Sequence, residues 1–82
     1  MHIQVLNVMD FQELTKDKLW PILVETVHAN VMYPTHKAYT RDVMLREKPE
    51  IGTKELAANL NMSLGEAIVI LYELSEHTKI LS

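Results

Sequence analysis

From Leu64 to about Glu76 the chain reads as a helix whose apolar residues do not form a stripe but nearly encircle it. Its start is marked by Ser63-Leu64-Gly65-Glu66, a capping box. In such a box the serine hydroxyl accepts from the N–H three residues on, and the glutamate reaches back to the N–H of the serine. Ala67, Ile70, Leu71 and Leu74 then recur at helical spacing and predict one buried face. Leu64, Ile68, Val69 and Tyr72 occupy much of the remaining circumference. Left in water, these four would form a contiguous apolar patch of the kind that marks an interface. Covering each such side chain is worth roughly 1.5–3 kcal/mol. The rest of the chain must therefore wrap this helix, or a second chain must.

The residues before it predict a partner helix and a tight turn. Thr53 is placed to cap through its hydroxyl. Lys54 to Leu60 are mostly good helix formers, with Leu56 and Leu60 four apart on one face. Asn59, Asn61 and Ser63 supply short polar side chains that bond locally to backbone. Lys79-Ile80-Leu81 reads as a short strand after the second helix.

This pattern resembles the winged-helix family of small regulators. The matching residues are Ile51, Thr53, Glu55-Leu56-Ala57, Leu60, Met62-Ser63, Ala67, Ile70-Leu71, Leu74 and Ile80, within residues 38–82. The resemblance implies a mostly α (α+β) fold, a three-helix core with a minimal β-sheet, and a helix-turn-helix whose second helix enters the DNA major groove. It also implies that Leu64, Gly65, Glu66, Ile68, Val69 and Tyr72 face the bases. Bases are read by Arg, Lys, Asn, Gln, Ser and Thr, and none of these stands at those positions. The recognition helix is thus expected to act as a packing or docking element, with Leu64, Ile68, Val69 and Tyr72 as its protein-interface residues.

Further upstream, Ile3 and Val5 alternate within His2 to Val8 and predict a short strand that would complete the sheet. Asp10-Phe11-Gln12-Glu13 is a second capping-box pattern and starts a short helix reaching about Lys16. Asp17 offers another cap, with Pro21 in the first turn of an amphipathic helix from Lys18 to about Met32. Tyr33-Pro34 is expected to end it, and Thr35 to cap the next helix, His36 to about Lys48, which Pro49 ends. Ala38, Met44 and Leu45 of that helix are expected in the core, with Tyr39 and Val43 at its edge. Residues 1–34 form an N-terminal extension and residues 35–82 the helical core of a single domain.

At 82 residues the chain is marginally stable alone and gains much from a partner. It has no cysteine, hence no disulfide and no thiolate chemistry. No apolar run has the length of a membrane span, and no leader-like N-terminus is visible, so a cytoplasmic setting is expected. The formal charge is −3, where nucleic-acid binders show a basic footprint. Cations do gather at Lys37, Arg41, Arg46, Lys48 and Lys54, and these are the residues a DNA-binding alternative would place on phosphates. Their commonest role beside Asp42, Glu47 and Glu50 is a solvated helix face. His2, His28, His36 and His77 lack metal-ligand spacing, and no serine lies in a nucleophile elbow. No enzyme activity, cofactor, metal or small-molecule ligand is expected. The sequence reads instead as a regulatory or adaptor module working through a protein partner or a homodimer, with DNA the alternative partner.

Overall fold

A computed structural model describes residues 11–81. Among them run five helices: α1 (Phe11–Thr15), α2 (Trp20–His28), α3 (Tyr33–Tyr39), α4 (Thr53–Leu60) and α5 (Leu64–Leu81). α3 continues unbroken into a π-helical turn (Thr40–Met44) and a last α turn (Leu45–Glu47). The described chain is mostly α-helical and contains no strand. This corrects the expected minimal sheet where it can be checked. Lys79-Ile80-Leu81 is the last turn of α5, not a strand. No proline or glycine follows Gly65, so nothing in the backbone chemistry stops the helix sooner. Pro49 and Glu50 form a turn closed by the Ile51 N–H on the Lys48 carbonyl at 3.0 Å, and residues 51–52 link it to α4 without regular structure. The strand expected over 2–8, and the cap expected at Asp10, lie outside the described residues.

Several boundaries follow from side chains that bond backbone. Asp17 Oδ1 accepts from the N–H of Leu19 at 2.8 Å, but α2 begins at Trp20 with Leu19 in its cap position and no side-chain cap bond, so Asp17 forms a turn ahead of the helix and is not the expected cap. α2 ends at His28, short of the expected Met32, because Asn30 folds its own turn: Oδ1 accepts from the N–H of Met32 at 2.7 Å. Pro34 then opens a helix rather than closing one. It sits in the first turn of α3, where no N–H is needed, so Thr35 lies inside the helix and is not its cap. The π-helical turn was not anticipated. The Thr40 hydroxyl donates to the His36 carbonyl at 2.7 Å, and the N–H of Leu45 reaches the Thr40 carbonyl. Hydroxyl back-bonding of this kind competes with the regular ladder. Lys48, ahead of Pro49, leaves the helical region (φ −137°, ψ 81°) and ends the segment.

Between α4 and α5 the chain reverses in three residues. Gly52, not Thr53, takes the cap position of α4, and Thr53 is buried in the first turn. Asn61 adopts the left-handed conformation (φ 55°), and the N–H of Met62 bonds the Ala57 carbonyl at 3.0 Å. This is a Schellman-type ending. The two helices then pack through one apolar cluster of Met44, Ile51, Leu56, Ala67, Ile70 and Leu74. Tyr33, Leu45, Leu60, Met62 and Leu71 flank it. Every member comes from Tyr33 onward. Ala38, expected in this core, instead lines a shallow outer groove with Pro34, Thr35, Tyr39, Asp42 and Val43.

Candidate functional site

α5 is the one helix that other described helices surround. Its Ala67–Ile70–Leu74 side belongs to the apolar cluster shared with α4. A second side meets α1 and α2. There the Tyr72 ring receives Phe11 edge-on at 5.7 Å and Trp20 at 5.3 Å between centroids. Such pairs add about 0.5–1.5 kcal/mol to plain burial. Two turns earlier, Leu23 lies so close to Gly65 that a Cβ there would stand 2.9 Å from Leu23 Cδ1. Val69, on the same side as Gly65 and Tyr72, is fully buried but outside the α3–α5 cluster.

A third side is polar. Glu66 and Glu73 stand seven residues apart on one face of α5. Glu66 is 2% exposed, and its Oε2 meets His36 Nδ1 at 2.7 Å. The capping box is therefore only half formed. The Glu66 N–H donates to Ser63 Oγ at 3.1 Å, but the carboxylate turns to α3 instead of back to Ser63. Glu73 gathers more partners. Its Oε2 meets His28 Nε2 at 2.6 Å, and its Oε1 accepts from Tyr33 Oη at 2.5 Å and Lys37 Nζ at 3.2 Å. Lys37 also donates to Tyr33 Oη at 3.3 Å, and the His28 and Tyr33 rings pack at 4.7 Å. A buried carboxylate is tolerated only with such partners, so this seam fixes how α2 and α3 sit on α5.

The charges respond to that seam. Burial pushes the Glu73 carboxyl up, but the hydrogen bonds from Tyr33, His28 and Lys37 outweigh it and hold it below its usual value. Burial and the Glu73 carboxylate raise the Tyr33 phenol. Burial would lower Lys37, yet its bonds to Tyr33 and Glu73 leave it raised. At neutral pH the cluster therefore holds a carboxylate, a neutral phenol and an ammonium.

The expected interface residues divide. Val69 and Tyr72 are used within the chain, whereas Leu64 stays 43% exposed and Ile68 half-buried. The five cations divide too. Lys37 is turned into the Glu73 cluster, Arg41 is clamped by Asp42 through two bonds at 2.8 and 2.9 Å, and Lys48 pairs with Glu55 at 2.7 Å. Arg46 and Lys54 are exposed. His28 and His36, read as unremarkable, turn out to be the partners of the two glutamates. Two carboxylates one heptad apart in the otherwise apolar run from Leu64 to Leu74 were the signal for them. No group of acidic and histidine side chains among the described residues is arranged to hold a metal ion, and no described helix is long and apolar enough to cross a membrane.

Comparison with known protein families, curated proteins and solved structures finds no match for this chain.

Proposed function

We propose that this chain is a non-enzymatic adaptor or regulatory module that works by protein–protein contact and associates with a second copy of itself. In this reading α3, α4 and α5 stand for the three-helix core of a winged-helix-like domain, with α5 used for packing and docking rather than for reading bases. The observation that supports it is that large apolar side chains beside and on α2 and at the start of α5 stay in water. Leu19 is 66% exposed, Ile22 57% and Leu64 43%. Ile22 and Leu64 each adjoin a partner in the Leu23–Gly65 contact. In this reading they gather at one seam, and such a group marks an interaction site more often than single side chains scattered over a surface.

The alternative, a DNA-binding regulator using Lys37, Arg41, Arg46, Lys48 and Lys54 on phosphates, has less support. Three of those five are engaged by carboxylates of the same chain.

Light scattering across a concentration range tests the reading. The mass should rise toward that of a dimer, and Leu64→Asp should hold the chain at the monomer mass without unfolding it. A monomer at every concentration would sink the self-association. DNA affinity that falls steeply with salt and is lost in Arg46→Ala, Lys54→Ala would favour the alternative.

A further inference from the structure

We draw no further inference here: the strongest candidate, the exposed apolar side chains of Leu19, Ile22, Val31 and Met32 on and beside the second helix of the α1–α2 arm, carries nothing, because nothing in the structure shows what covers them.

Discussion

One side of α5 is packed against α4 and the end of α3, the other against α1 and α2, and the two contacts are built from different materials. Toward α4 the contact is aliphatic. Leu56, Ala67 and Ile70 are fully buried, and the turn between the helices closes through backbone bonds at Asn61 and Met62. Toward α2 the contact is made by aromatic edges, a glycine seat and a half-exposed histidine on a carboxylate. A nine-residue helix such as α2 is not stable by itself. Only Val27 of α2 is buried, and Leu19 and Ile22 face outward. The first contact holds the fold together. The second holds an appendage in place, and local opening should begin there.

The sharpest way to break this comparison is to cut the aliphatic side. Ile70→Ala leaves a cavity in the cluster and should lower global stability by about 2–5 kcal/mol in a denaturant melt. A loss no larger than that of an arm mutation would mean that the two sides are not distinct. Trp20→Ala should come next, at about 1–2 kcal/mol, and its effect should be local. Hydrogen exchange should quicken through Trp20–His28 while the amides of α4 keep their protection. Acceleration in both regions alike would join the arm to the core as one cooperative unit.

The polar seam sharpens the comparison through pH. Glu73 is held below its ordinary value of about 4.5, so folding favours its charged form. Its stabilisation is complete above that ordinary value and is lost as pH falls through the lower folded value. Glu73→Gln should thus be less stable than the native chain at neutral pH and should lose less stability between pH 5 and 3, a range set by that shift. Parallel acid limbs for the two proteins would remove Glu73 from the account. The smallest expected effect is Leu64→Asp, within about 0.5 kcal/mol by melt, although it should abolish association.

Much of the aliphatic side was legible in the sequence, because periodicity reports burial directly. Leu56, Ala67, Ile70 and Leu74 follow from spacing alone, and Ser63 from its capping chemistry. The ends of α2 and α3 were not, since Asn30 and Pro34 carry two readings each. Asn30 could continue a helix or bond its own turn, and Pro34 could close one helix or open the next. The tertiary setting decides. The strand expected at 79–81 failed for a related reason. Ile80 and Leu81 suit a strand or a helix equally, and a helix already under way needs a breaker to stop it. At the candidate site, the apolar circumference of α5 asked for a cover, which Val69 and Tyr72 have and Leu64 lacks. It did not reveal that Val69 and Tyr72 are covered from within the chain. Nor did it reveal that Glu66 and Glu73 recruit histidines from two other helices, because such pairings join residues 30 and 45 positions apart.

Gly65 is a weak choice for the first turn of a helix, since glycine there forfeits about 0.5–1 kcal/mol relative to alanine. Its bareness is what lets Leu23 sit down on α5. An alanine would favour the helix and at the same time nudge the end of a flexible side chain belonging to the arm. One methyl group would therefore pull two equilibria in opposite directions, making the unfolded chain rarer and the unlatched chain commoner. The frequency of unlatching can in this way drift over evolutionary time, or be tuned at the bench, without spending the reserve that keeps the rest of the molecule folded.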